Sequence, residues 1–194
     1  MLKIEPATLH RIDDPRLVSL VRNLVGERIL RVRYSVPAGV IWQGDTELDH
    51  VHEVDMGVEL VTDSGLVLEL SWATPGSREG LAFTLDRLEE LRPNKLVDLV
   101  EVSGRREWSR IVGYPVDKIG VSFHVYSYDS SVRPWSFRIE MSNGCSLVVA
   151  LGEIDGRILS YMPNNIVVML DEDVAGEYYV PDSLQSAWGE TVRS

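Results

Sequence analysis

Twice along this chain, two β-rich runs are separated by a short polar turn that ends in glycine, and this constrains the fold more than any other feature. The first instance is Val58-Glu59-Leu60-Val61-Thr62, then Asp63-Ser64-Gly65, then Leu66 through Trp72. The second is Ser136 through Met141, then Ser142-Asn143-Gly144, then Cys145 through Leu151. Glycine tolerates the positive φ that tight turns require, so each instance predicts a β-hairpin, and Asn143-Gly144 is the pair preferred by a type I′ turn. Short turns join neighbouring strands in antiparallel fashion. A chain with two such hairpins is therefore expected to be α+β, a mainly antiparallel β-sheet with a few helices packed on one side.

The helices are sought by their period. Asp14 followed by Pro15 has the form of a helix start, with a capping carboxylate and a proline whose missing donor costs nothing there. Leu17, Leu20, Val21 and Leu24 form one apolar stripe, and Gly26 supplies the stop, so the spacing predicts a helix over 15–24. Leu81, Leu85, Leu88 and Leu91 also recur at helical spacing and predict a helix over 80–91, ended by Pro93. Ile29 through Val36 and Ile119 through Val125 read as strands. Asn165 through Leu170 reads as a buried strand, Glu177 through Val180 as a short one, and the chain from Asp182 as a polar end that frays.

At 194 residues the chain is taken as a single globular unit, 1–194. Within it, 13–92 and 96–182 share the outline helix, Val-Gly, strand, loop, strand, glycine turn, strand. That outline suggests two related helix-plus-three-strand halves. Unrelated antiparallel segments share the same grammar, so duplication and coincidence both stay open. The edge strands of such a sheet also allow homo-oligomers through strand pairing.

Charge is the other organising feature. Between Tyr34 and Ser77 stand eight carboxylates (Asp45, Glu47, Asp49, Glu53, Asp55, Glu59, Asp63, Glu69) and no Lys or Arg. Between Ile158 and Val192 stand six more, Asp171, Glu172, Asp173, Glu177, Asp182 and Glu190, again without a base. The net charge of −11 speaks against nucleic acid and anionic membrane surfaces as partners, which need clustered Lys and Arg, and favours a basic protein. The single Cys145 excludes an internal disulfide and suits a reducing compartment. With no apolar leader and no run of ~18 apolar residues, a soluble cytoplasmic protein without a membrane span is expected.

Sites of chemistry are sparse. On a strand, His50 and His52 face one side, so both imidazoles could reach one metal ion, with neighbouring carboxylates completing its shell. A solvated acidic loop competes with that reading, since two histidines without further ligands underdetermine coordination. The pairs Asp171/Asp173 and Glu153/Asp155 have the spacing for acid-base work if extended, but they read as exposed turns, and nothing in the sequence indicates desolvation. Cys145 lacks an adjacent base, and there is no nucleophile elbow, dinucleotide fingerprint or phosphate-binding loop. No cofactor is implied, no catalytic residue is assigned, and the chain reads more as a binder than as an enzyme. Arg105, Arg106 and Arg110, interleaved with Glu107, read as a solvated helix face.

Two functional classes follow. In the first, an acidic face built from Trp42, Asp45, Glu47, Asp49, Glu53 and Asp55 captures a basic protein, Trp42 serving as the anchor. An immunity- or antitoxin-like inhibitor is the concrete form of such a module. In the second, a small molecule or metal ion sits between the two halves, with Tyr126, Tyr128, Trp135 and the His50/His52 pair as candidate lining.

Overall fold

The computed structural model describes residues 2–44, 46, 48, 50–72, 80–91, 94–126, 130–183 and 185–193. Along the chain run β1 (Leu2–Ile4), α1 (Pro15–Leu24), β2 (Ile29–Pro37), β3 (Val51–Val54), β4 (Gly57–Thr62), β5 (Leu66–Trp72), β6 (Leu81–Arg87) and β7 (Val97–Glu101). Then follow β8 (Val116–Val125), β9 (Val132–Met141), β10 (Ser146–Leu151), β11 (Glu153–Asp155), β12 (Ile158–Ser160), β13 (Ile166–Met169), α2 (Glu172–Glu177) and β14 (Glu190–Thr191).

The strands form two six-stranded antiparallel sheets and one small hairpin, β11-β12. The first sheet has the order β1-β6-β5-β4-β2-β7, and the second β14-β8-β9-β10-β13-β3. Each is a four-strand meander with one further strand on either edge. β3 leaves the first half of the chain to complete the second sheet, and β7 leaves the second half to complete the first.

Both expected hairpins are present, β4-β5 and β9-β10. In each turn it is the glycine that turns left-handed, Gly65 and Gly144 both at φ 81°. Each glycine N–H bonds back to the carbonyl that opens the turn, Thr62 at 3.1 Å and Met141 at 2.9 Å. Asn143 keeps a negative φ, which corrects the type I′ expectation: these are three-residue turns whose glycine forms the bulge.

α1 matches its prediction, with Asp14 accepting from the Arg16 N–H at 2.9 Å and Leu17, Leu20, Val21 and Leu24 buried. The helix expected over 80–91 is instead the strand β6, paired with β5 on one side and β1 on the other. Leu81 and Leu85, four apart, share a face in a helix and in a strand alike. Phe83 between them decides, because period two sends it to the same side, where it is fully buried. Leu88, which a helical stripe would bury, is left 38% exposed.

The end of the chain also differs from expectation. Asp171 is the N-cap of α2, accepting from the N–H groups of Asp173 and Val174, and Tyr178 follows the helix as a buried side chain rather than as part of a strand. Residues 185–192 lie over the outer face of the second sheet. Ser136 donates to the Ala187 carbonyl, and β14 pairs with β8. The Arg138 guanidinium lies 4.3 Å from the Trp188 ring centre and reaches Thr191 Oγ1 at 2.8 Å. Gly120 makes this stack possible, since a Cβ there would stand 2.9 Å from Arg138 Nε.

The sheets pack against each other through buried Val, Leu and aromatic side chains, with Phe83 and Phe137 at 5.0 Å between ring centres. The outer face of the first sheet carries a cross-strand row in register: Lys3, Thr84, Glu69, Glu59, Arg33, Glu101. Its centre is the half-buried pair of Arg33 and Glu59 at 2.6 Å. Among the described residues no helix is long and apolar enough to cross a membrane.

Candidate functional site

Alternation along two strands from different sheets creates the most unusual polar arrangement in the molecule. On β2, Val32, Tyr34 and Val36 point into the core. On β3, the edge strand of the second sheet, His52 and Val54 point inward while Glu53 points away. The two inward rows meet where Tyr34 Oη lies 2.7 Å from His52 Nδ1. Tyr34 is fully buried and His52 is 4% exposed, so this hydrogen bond joins the sheets inside the core.

The third member comes from the one-turn 3-10 segment Arg106–Arg110. Trp108 is buried completely and fixes that segment against the core, with the Trp108 and Tyr34 ring centres 6.1 Å apart. Glu107 is thereby brought alongside β3, its Oε1 lying 3.3 Å from His52 Nε2 and 2.8 Å from Arg105 Nε. His52 stands between the two, its Nδ1 against the tyrosine oxygen and its Nε2 against the carboxylate, where an Nε2 proton offers Glu107 a donor.

The electrostatics follow from burial and the guanidinium. Burial acts to raise the Glu107 carboxyl, but hydrogen bonds from Arg105 and the backbone, with the charges of Arg105 and His52, outweigh it and hold Glu107 below the ordinary carboxylate range. Burial pushes the Tyr34 hydroxyl well above its ordinary value; the Trp108 indole and Arg105 oppose this and Glu107 reinforces it. A phenol held neutral and shut away from solvent has no route to attack a substrate. Its place is as a structural link under the site.

Trp42 closes one side. Its ring stands edge-on to Tyr34 at 4.7 Å, its Nε1 donates to the Glu53 carbonyl at 2.8 Å, and Arg105 lies 5.1 Å from its ring centre. Gly44 completes the contact, since a Cβ there would stand 2.6 Å from Arg105 Nη1 and 2.7 Å from the indole.

Two hollows flank this ridge. Beyond His52 and Glu107 opens a cleft of about 700 Å³ whose lining includes His50, Arg105, Arg106, Ser109 and Arg110. On the other side a hollow of about 440 Å³ is lined by Ile41, Trp42, Glu53, Asp55 and neighbours. Both fall within the size range of small-molecule pockets.

The residues singled out in sequence are distributed as follows. His50 is exposed, adopts φ 62° just before β3, and lines the cleft, while His52 forms its floor. Among the described residues no group of three or more His, Cys, Asp or Glu side chains converges to hold a metal ion. Trp42, Glu53 and Asp55 do share one hollow, but Glu53 is bound within the fold: it accepts from the Ile154 N–H at 2.9 Å and from the Asn165 amide. Asp55 is exposed, and Asp45, Glu47 and Asp49 lie outside the described residues. Trp135 packs at 5.6 Å on Tyr178, Tyr126 lies against Arg133 at 4.0 Å, and neither lines the cleft. Tyr128 lies outside the described residues.

Sequence reasoning does not single out Tyr34 or Glu107; Trp108 is a core residue, and Arg106 and Arg110 are exposed on a 3-10 turn rather than on an α-helix. The signal available for Tyr34 was its inward position between Val32 and Val36. Nothing local tied it to Glu107. In comparisons with known proteins, no family model, no curated protein and no solved structure matches this chain.

Proposed function

We propose that the protein is a small-molecule binding module whose ligand occupies the cleft between β3 and the 3-10 segment Arg106–Arg110. One observation carries this: a cavity of about 700 Å³ opens beside β3, with His52 and Glu107 in its lining and His52 held from within the core by its hydrogen bond to Tyr34. The volume is that of small-molecule pockets, and a lining residue locked by a buried hydrogen bond arrives preformed, which lowers the ordering cost of binding. A test is a thermal-shift screen of small-molecule fragments against the native protein and a Ser109→Trp variant, in which an exposed lining residue is enlarged to fill the cleft. Cleft ligands raise the melting temperature of the native protein and not that of the variant. Stabilisation that is equal in both contradicts the assignment.

A second reading rests on the other hollow. Trp42, Glu53 and Asp55 line it beside Ile41, which is 85% exposed, and together with the net charge of −11 this supports capture of a basic protein in the manner of an inhibitor. The kind of partner retained separates the two: an acidic face holds a basic protein, with an affinity that weakens as ionic strength rises because exposed charges are screened beyond about 8 Å at physiological salt, whereas the cleft holds a small molecule. The shared outline of the two sheets supports an internal duplication, and the lone thiol of Cys145 suits a cytoplasmic setting under either reading.

A further inference from the structure

We infer that the cleft takes an anionic small molecule, a carboxylate or phosphate bridged by the guanidinium groups of Arg106 and Arg110. This rests on the cleft being a ligand seat and specifies its chemistry. The cleft is lined by three arginines and one described carboxylate, Glu107. Arg105 and Glu107 neutralise each other at 2.8 Å, and Arg105 is further occupied by the Trp42 ring. Arg106 and Arg110 remain, both exposed and neither in an ion pair with any described residue. Among the described lining residues three arginines stand against one carboxylate, in a chain with 30 carboxylates and 19 bases.

Their platform is rigid. Trp108 anchors the segment between them in the core, and the Asn143 amide donates to the Arg110 carbonyl at 2.9 Å. Planar guanidinium forks suit oxyanions, each offering paired donors to two oxygens. The acids facing Arg110 from the opposite side are those of the α2 start, Asp171, Glu172 and Asp173, which share a separate hollow of about 210 Å³ with it. The Asp171 carboxylate is already committed to capping α2. The overall charge opposes an approaching anion at long range, but that field fades within about 8 Å at physiological salt, whereas the guanidinium contacts act within hydrogen-bond distance.

The test is calorimetric titration with inorganic phosphate in one arm and succinate in the other, at fixed ionic strength. Arg106→Gln/Arg110→Gln serves as the site variant, and Arg22→Gln, on the exposed face of α1, as the control. All positions substituted are exposed, so matching melting temperatures verify that each variant folds. Saturable one-site binding of at least one oxyanion, weakened about tenfold or more in the double variant and unchanged in the control, is expected; tenfold corresponds to ~1.4 kcal/mol. The arm that saturates tells phosphate from carboxylate. Binding that survives the double variant, or no saturation in either arm, overturns the inference. If neutral or cationic fragments still stabilise the native protein but not Ser109→Trp, the cleft remains a ligand seat and only its anionic chemistry is wrong. If nothing binds there, both proposals fall.

Discussion

Replacing Tyr34 with phenylalanine removes one oxygen from the core and keeps the ring, so it isolates the hydrogen bond that joins the sheets. The hydroxyl lies 2.7 Å from His52 Nδ1, and the two residues are 0% and 4% exposed. A buried polar atom stripped of its partner costs ~1–3 kcal/mol, since water does not replace the bond. For a protein of this size each kcal/mol moves the melting temperature by ~2–4 °C, so Tyr34→Phe should melt ~2–12 °C below the native protein. His52→Phe should also destabilise, because it leaves the tyrosine hydroxyl without this partner. The double variant replaces both groups with apolar ones, and the pair should show a coupling of ~0.5–3 kcal/mol, the double costing less than the sum of the singles. The assay is urea unfolding followed by circular dichroism at neutral pH. A Tyr34→Phe cost below ~0.5 kcal/mol, or strict additivity in the cycle, would refute the claim that this bond ties the sheets together.

Other consequences are equally specific. Burial, with the Arg133 charge added and Asp182 opposing, lowers the His124 pKa to about 4. The folded state therefore keeps this imidazole neutral while the unfolded chain protonates near pH 6.5, so stability is lost as pH falls from 6.5 towards 4, by about 3 kcal/mol if the whole shift is realised. His124→Gln should flatten that acid limb in pH-dependent denaturation, and an unchanged slope contradicts the assignment. Glu69 is raised by burial and by the neighbouring Glu59 charge, against Lys3. A raised carboxyl contributes stability below its unfolded value and loses it as pH rises through the folded one, so Glu69→Gln should raise the melting temperature at pH 7 and lose that advantage in acid. Gly189 adopts φ 65°, and a Cβ there would stand 2.6 Å from the Val121 carbonyl carbon, so Gly189→Ala should cost more than ~1 kcal/mol and speed amide exchange at Ala187 and Val192. Exchange equal to the native rate at those amides contradicts the packing of residues 185–192 described above.

Local grammar was legible in the sequence and long-range pairing was not. α1 and both hairpins were readable because each is specified by residues a few positions apart: Asp14 and the leucine stripe, or two β runs and a glycine. β6 was misread because Leu81 and Leu85 satisfy two periods at once, and only pairing with β1 and β5 selects one. The edge strands β1 and β14 are two or three residues long, too short to show any period. At the site, His52 and Trp42 were noticed from their neighbourhood, and Arg105, Arg106 and Arg110 from their density. What ties them to the core is the convergence of Tyr34, His52 and Glu107, which lie on three separate elements and meet only once β3 crosses to the second sheet. That crossing leaves no local trace in composition or spacing.

The most direct test of the ligand seat uses the five tryptophans as position markers. Each indole N–H gives one resonance in a proton–nitrogen correlation spectrum, and Trp42 and Trp108 stand beside the cleft floor, within 5.5 Å and 6.4 Å of the His52 ring centre. Trp135 packs on Tyr178, and Trp188 lies over the second sheet's outer face against Arg138. Titration with phosphate and succinate should shift the Trp42 and Trp108 indoles along saturating curves and leave Trp135 and Trp188 in place. Shifts confined to Trp135 and Trp188, or linear drift of all the indoles together, would contradict a ligand seat beside His52 and Glu107.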